Sequence, residues 1–317
     1  MATITTASGL PKSDDRRYHF DIYAVLEAPQ ELYFGHETQV NVNVVETVRV
    51  KTDQGVIEKC YLSPTKRRGV ERRSLIWAPA NAHGVLLGEK LGCGVPHTCA
   101  RPTCPICAVY GGLITGNVTV EVLGSDEDRT QNTTVGRLVH GGGVAIQDIE
   151  PSEKQRAMHP SALHKEASQT PMPFKREYNE PALLYPVYNH CLSVTEVEFT
   201  AVAYAFLDAL ARLGASNPKG VHVYEGAFLK PKEPLLVLDR YLAPLGKRPI
   251  ISPAEVLIEQ ALSGFAADAL SVRGKRIAKD FVSEQVDGKA LFDRWIGEAA
   301  LVQLQEYATK FAVKHLT

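Results

Sequence analysis

The sequence predicts an α+β fold, an antiparallel sheet of the ferredoxin-like kind carrying sizeable insertions. Three observations carry that expectation. Short segments repeat an apolar/polar period of two, one helix is marked at both of its ends, and the remaining order reads strand, irregular region, strand, strand, helix, strand.

From the N-terminus, Tyr18 to Ala28 (YHFDIYAVLEA) reads as the first strand, and Val40, Val42 and Val44 alternate with Asn41 and Asn43 as a half-buried second one. Val56 to Leu62 reads as a strand joined to the preceding one across Thr52-Asp53-Gln54-Gly55, where Gly55 supplies a positive φ. The cationic stretch Lys66 to Arg73 leads through Pro79 and several glycines into irregular structure; a helix over Gly69 to Trp77 would set Arg68, Arg72 and Arg73 on adjacent turns. Val118, Val120 and Val122 alternate again, and His140-Gly141-Gly142-Gly143 precedes the apolar run Val144 to Ile146. Residues 151 to 181 are polar, basic and broken by Pro151, Pro160, Pro171 and Pro173, which predicts an exposed, mobile insertion.

Leu183 to Val194 then reads as a strand running into the best-marked helix. Thr195 as N-cap and Glu198 three residues on make a capping box, Phe199, Val202, Phe206, Leu210 and Leu213 share one face, and Gly214 closes it. Val221 to Leu229 and Leu235 to Asp239 follow as strands. Ser252-Pro253-Ala254-Glu255 predicts the start of another capped helix, and Leu291 to Leu316 is expected to be mostly helical. No internal repeat is present.

With 317 residues, 44% hydrophobic and 22% charged, the chain is an ordinary globular protein by composition. We expect one core domain over residues 14–317, an insertion at 39–115 carrying the basic segment and a cysteine loop, and a second, exposed insertion at 150–181. Residues 1–13 lack the charged and apolar regions of a signal peptide, and no run of eighteen apolar residues occurs, so the expected location is cytoplasmic with no membrane partner. A formal charge of −1 excludes a uniformly basic protein; contact with nucleic acid would have to come from local patches.

Four of the six cysteines fall between Cys93 and Cys107, a clustering that suggests metal rather than a disulfide framework. The spacing Cys99-x4-Cys104-x2-Cys107 names three ligands for a tetrahedral Zn2+, since two residues between thiolates let a turn place both sulfurs on one ion. For the fourth, His97 and Cys93 are both within reach, and His97 is favoured as the closer residue in a Pro-containing loop. Four protein ligands leave no open position, so the expected role is structural. Cys60 and Cys191 lie in strands and read as core residues.

Lys66, Arg67, Arg68, Arg72 and Arg73 put five cations in eight residues with only Glu71 to offset them, a pattern suited to phosphate. The insertion adds Lys154, Arg156, His159, His164, Lys165, Lys175 and Arg176, interleaved with Met158, Met172 and Phe174. Cations beside apolar side chains are what single-strand binding uses. A smaller group is Asn217, Lys219 and His222. No catalytic constellation emerges. His159, His164 and His190 have no nucleophile or carboxylate motif beside them, and neither Gly88-Glu89-Lys90 nor the triple glycine is a phosphate loop. The chain is therefore expected to bind and not to catalyse.

Glu71-Arg72-Arg73, then Cys104-Pro105-Ile106-Cys107-Ala108-Val109-Tyr110-Gly111, then a strand-to-helix segment closing on Leu213-Gly214-Ala215 and Gly220, resemble the guide-RNA-binding backbone subunits of class 1 CRISPR effector complexes, of the type I-D kind. The matched motifs span residues 66 to 226. Leu213 and Ala211-Arg212 depart from the family's pattern, in which a Tyr precedes the Gly-Ala pair and further cations precede it; type IV backbone subunits are a related alternative. The resemblance implies an RNA-recognition-motif-like sheet with inserted lobes, one of them zinc-bound. It further implies polymerisation of copies along the crRNA, association with other effector subunits, and presentation of the guide for target DNA pairing. Carried over, it makes Arg67, Arg68, Arg72 and Arg73 contacts for guide phosphates and the 150–181 insertion, around Lys154 to Arg176, a thumb. Two other readings remain at this level: an RNA-processing endonuclease using His159 or His164, and a zinc-bearing protein scaffold.

Overall fold

The computed structural model describes residues 16–317 except 33, 35, 40–41, 82, 115–132, 158–172, 215–219, 229 and 274–280. In chain order the elements are β1 (Arg17–Glu27), β2 (His36–Gln39), β3 (Val42–Val45), β4 (Thr47–Thr52), β5 (Gly55–Cys60), α1 (Pro64–Ile76), α2 (Leu87–Leu91), α3 (Cys107–Tyr110), β6 (Gly112–Leu113), β7 (Thr133–Thr134) and β8 (Leu138–Gly142). They continue as β9 (Ser152–Ala157), β10 (Pro173–Tyr178), β11 (Leu184–Thr195), α4 (Glu196–Leu210), β12 (His222–Val223), β13 (Glu225–Gly226), β14 (Glu233–Pro234), β15 (Leu236–Tyr241), α5 (Ile258–Leu270), β16 (Phe281–Val286), β17 (Lys289–Ile296) and α6 (Glu298–His315).

The main sheet runs β16-β17-β15-β1-β11-β8, with β12 pairing the end of β1, and its pairings are antiparallel. β1 lies at its centre and is buried from Phe20 to Leu26, which is why its sequence lacks a clean alternation: both faces of the sheet are covered. Phe20, Ile22, Ala24 and Leu26 pack with α1, α4 and α6, whereas Tyr23 and Val25 pack with Ala261, Phe265 and Ala269 of α5. Phe20 and Phe199 stack with ring centroids 4.0 Å apart, and Tyr307 meets both edge-on. Each such fully buried ring contributes about 2 kcal/mol relative to exposure.

The capping box at α4 forms as expected: the Glu198 N–H donates to Thr195 Oγ1 at 3.1 Å, and the Thr195 N–H donates to the Glu198 carboxylate at 2.9 Å. The helix ends at an Ala211 cap, and Gly214 follows three residues later with φ +116°. The hairpin about Gly55 also forms, although its first strand is Thr47–Thr52 and not the valine run before it. Of that run, Val42 and Val44 lie in β3; Val40 lies outside the described residues, as do Val118, Val120 and Val122.

Two expectations are corrected. Residues 152–157 and 173–178 are not irregular; they pair with each other, and Pro173–Tyr178 also pairs in parallel with β3, giving a four-stranded sheet β2-β3-β10-β9. Backbone pairing needs no apolar stripe, and Pro173 stands at the first position of its strand, where a missing N–H is tolerated. Ser252 to Glu255 closes a turn, with the Glu255 N–H donating to Ser252 O at 3.0 Å, and α5 begins only at Ile258, its cap position occupied by Leu257. The expected, mostly helical stretch Leu291 to Leu316 holds as α6, which starts after Gly297, whose φ of +62° breaks the backbone direction; the residues before it belong to the strand Lys289–Ile296.

Candidate metal centre and nucleic-acid interface

Cys93, Cys99, Cys104 and Cys107 are all buried, and their sulfurs lie within 4.8 Å of one another. Cys93 Sγ and Cys107 Sγ are 3.5 Å apart, Cys99 Sγ and Cys107 Sγ 3.7 Å. Four thiolates at about 2.3 Å from one ion would stand about 3.8 Å apart, and the two closest sulfur pairs are near that spacing, so the donor set suits a tetrahedral metal. Hydrogen bonding among the thiols pulls Cys93 down to about 7 and Cys99 further, while it and burial hold Cys104 above the ordinary thiol range.

The local sequence builds this arrangement. Gly92 takes a left-handed conformation at the end of α2, so the Cys93 N–H donates back to Gly88 O at 2.8 Å. A Cβ on Gly88 would fall 2.7 Å from Cys93 O and 2.8 Å from Ile76 Cγ2, so only glycine lets α2 seat against α1 here. Cys107 opens α3, and the Gly111 N–H donates to its carbonyl. The Gly94 N–H donates to His97 O at 2.8 Å, turning 94–97 outward. His97, favoured on spacing as the fourth ligand, is exposed and outside the thiol group, whereas Cys93 lies within it. The turn between them reverses the chain's direction, which sets Cys93 and not His97 toward the other thiols.

The basic run is not one surface. Ser63 caps α1, which starts at Pro64, and the helix turns Arg67 and Glu71 into the sheet. Arg67 is 2% exposed and donates to Asn189 Oδ1 at 3.1 Å, Gly141 O at 2.6 Å and Tyr188 O at 3.3 Å, which removes it from the candidates for phosphate contact. Burial lowers its guanidinium to about 10. Glu71 beside it accepts from His140 Nε2 at 2.7 Å, Tyr110 Oη at 3.1 Å and Asn189 Nδ2 at 3.1 Å. Burial alone would raise that carboxyl; the charge and hydrogen bond of His140, with Arg67 and Asn189, outweigh it and hold the carboxyl below its ordinary value.

Arg68 is also turned inward, donating to Leu138 O at 2.7 Å and to Tyr110 O. Lys66 pairs with Glu46 at 2.8 Å. Arg72 and Arg73 are what the run leaves for a partner. Arg72 Nε and Nη2 are buried and have no acceptor among the described residues, and the same holds for Arg101 Nε and Nη2 in the cysteine loop. Arg73 lies 5.9 Å from the centroid of Trp77, a side chain 57% exposed at the end of α1. The two rim a cavity of about 420 Å³ also lined by Leu86, Glu89, Val95 and His97, beside the thiol group. Trp77 was missed by the sequence reading although its i+4 spacing from Arg73 was visible.

Lys154, Arg156, Lys175 and Arg176 sit in the β9–β10 hairpin, where Lys154 is the register partner of Arg176 and Arg156 that of Phe174. His159, His164, Lys165, Asn217 and Lys219 lie outside the described residues, as do Met158 and Met172. His222 forms an exposed pair with Glu27 at 2.9 Å. Cys60 and Cys191 are fully buried strand residues. Among the described residues no helix is long and apolar enough to cross a membrane.

Neither a family model nor a curated protein matches the sequence. Among solved structures, the chain is similar to Csc2 of Thermofilum pendens, at 14% identity and a TM-score of 0.41, over 82% of this chain and 73% of that one. It is similar also to a chain of a type IV-B CRISPR complex, at 14% identity and a TM-score of 0.38, over 76% of this chain and 98% of that one.

Proposed function

We propose that the chain is a backbone subunit of a class 1 CRISPR effector complex: it binds single-stranded guide RNA, assembles with further copies of itself and other subunits, and presents the guide for pairing with target DNA. The carrying observation is the pairing of Arg73 with the exposed Trp77 at the rim of a cavity, beside an Arg72 whose buried Nε and Nη2 have no acceptor among the described residues. A guanidinium for the phosphate and an open aromatic face for the base are the two parts of sequence-tolerant single-strand recognition.

The topology supports this reading. The series β1, α1, β8, β11, α4, β15, with sheet order β15-β1-β11-β8, follows the order that the split βαβ core of this reading requires. The thiol group hangs from α1 as an inserted lobe, and a zinc ion held by Cys93, Cys99, Cys104 and Cys107 would close it with no position left for water. Held there, it would fix the loop that carries Val95 and His97 to the cavity rim. The β9–β10 hairpin, with Lys154, Arg156, Lys175 and Arg176, is the thumb in this reading.

Binding of a labelled, unstructured RNA to the purified full chain tests it, with a duplex of equal length in parallel. The reading predicts preference for the single strand, tolerance of sequence, and a loss of roughly tenfold in R73Q and in W77L. Equal affinity for duplex and single strand, or indifference to both substitutions, contradicts it.

A further inference from the structure

The sheet has a second polar site, on the face turned away from α1. In register across four strands lie His190 of β11, Asp21 of β1, Asp239 of β15 and Arg294 of β17. The inner end is closed: Arg294 is fully buried, donates to both Asp239 oxygens at 2.7 and 2.6 Å, and gives its remaining hydrogens to backbone carbonyls. The outer end is different. Asp21, 3% exposed, accepts from Tyr23 Oη at 2.9 Å, Tyr241 Oη at 3.2 Å and His190 Nδ1 at 2.8 Å.

That third bond fixes the imidazole with its proton on Nδ1 and its Nε2 lone pair directed away from the carboxylate. Nε2 accepts from Arg248, an exposed residue in the loop between β15 and α5. Arg248 has no carboxylate within ion-pairing distance among the described residues; it touches His190, faces the Tyr23 hydroxyl, and lies 5.7 Å from the centroid of Tyr188. Beyond His190 and the Tyr23 hydroxyl, its five donors meet no further acceptor among the described residues.

Tyr188 is held flat for a reason visible in the triple glycine. A Cβ on Gly141 would sit 2.1 Å from the Tyr188 ring, so glycine in β8 is what lets the ring lie across the neighbouring strand. The ring is also beside His190, with centroids 4.7 Å apart. We propose that Arg248, His190 and Tyr188 form a second nucleotide-binding site, taking a phosphodiester on the guanidinium and a base on the tyrosine ring, at a place the sheet separates from the Arg73–Trp77 rim.

Asp21 is the positioning residue: it holds the imidazole so that Nε2, and through it Arg248, face outward. The inference rests on the chain's binding single-stranded RNA at all, and the test separates the two claims. Ultraviolet crosslinking of a short labelled RNA to the full chain is followed by peptide mapping, alongside affinity and melting curves for R248Q and Y188L. Inorganic phosphate and a mononucleotide serve as competitors.

The expected result is a crosslinked peptide containing Tyr188, lost in Y188L, and an affinity loss of roughly tenfold in R248Q without a change in melting. Crosslinks at the Trp77 peptide persist in both variants. Displacement by the mononucleotide, and not by phosphate at equal concentration, shows that ring and guanidinium act together; displacement by phosphate alone reduces the site to a simple anion contact and overturns the nucleotide assignment. RNA binding with no crosslink near Tyr188 and with R248Q binding as wild type overturns this inference and leaves the Arg73–Trp77 site standing. A lowered melting point in R248Q with unchanged affinity assigns Arg248 to closing its loop, and absence of RNA binding by the wild type overturns both claims.

Discussion

Arg67 and Arg73 belong to one basic run on one helix, yet the fold uses them in opposite ways. At 100° per residue, six residues rotate a side chain by about 240°, so the two point to different sides of α1. Arg67 faces the sheet and shares a sealed network with Glu71, Asn189 and Gly141 O. Arg73 faces outward onto Trp77. The comparison teaches that a charge run is a set of angular positions before it is a surface, and only those left over after the fold takes its share can meet a ligand.

The strongest way to break this comparison is on the buried side. E71Q keeps the shape of the side chain and removes the charge opposite Arg67, leaving a buried cation uncompensated. Urea unfolding should show a loss of about 3 kcal/mol with no specific change in RNA affinity of the folded protein. Its pH dependence has a definite sign. The Glu71 carboxyl is lowered in the folded state, so its stabilisation is fully present above the ordinary value of 4.5 and is lost as pH falls through the lowered one. E71Q should therefore flatten the acid limb of the stability profile; an unchanged limb would mean that other carboxylates set it.

Next in size is the metal lobe. C93S should lose bound zinc and about 2 kcal/mol or more of stability, whereas H97A should keep both. Metal content measured on the two proteins decides between thiol and imidazole as the fourth ligand, and zinc lost from H97A would restore the assignment favoured by spacing. On the outer side of α1, W77L should weaken RNA roughly tenfold while changing stability by less than about 0.5 kcal/mol. The smallest effect belongs to K66Q. The Lys66–Glu46 pair is about one-third exposed, and its loss should cost well under 1 kcal/mol and leave RNA affinity unchanged.

The thiol cluster was nearly complete in the sequence because its four cysteines fall within fifteen residues, a local spacing that needs no tertiary neighbour to be seen. The capped helix at Thr195 was legible for a similar reason: both halves of the box are local. What was hidden depends on tertiary neighbours. Arg67 looks like any surface arginine until Asn189 and Gly141, more than seventy positions away, are placed against it. Cys93, and not His97, lies beside the other thiols through a turn whose direction depends on Gly92. The β9–β10 hairpin lacks an apolar stripe, so period alone could not find it, and the Lys289–Ile296 strand was absorbed into the helical pattern that follows Gly297. His190 carried no local motif; its partner Asp21 is supplied by register with β1.

The most direct test of the central claim is the salt dependence of RNA binding, measured for wild type, the double variant R72Q/R73Q and K66Q. Each lost phosphate contact to a single strand should reduce the log–log slope by about 0.7, so the double variant should lose about 1.4 and K66Q nothing. A slope lowered equally by K66Q, or untouched by the double variant, would show that the outer side of α1 does not carry the RNA.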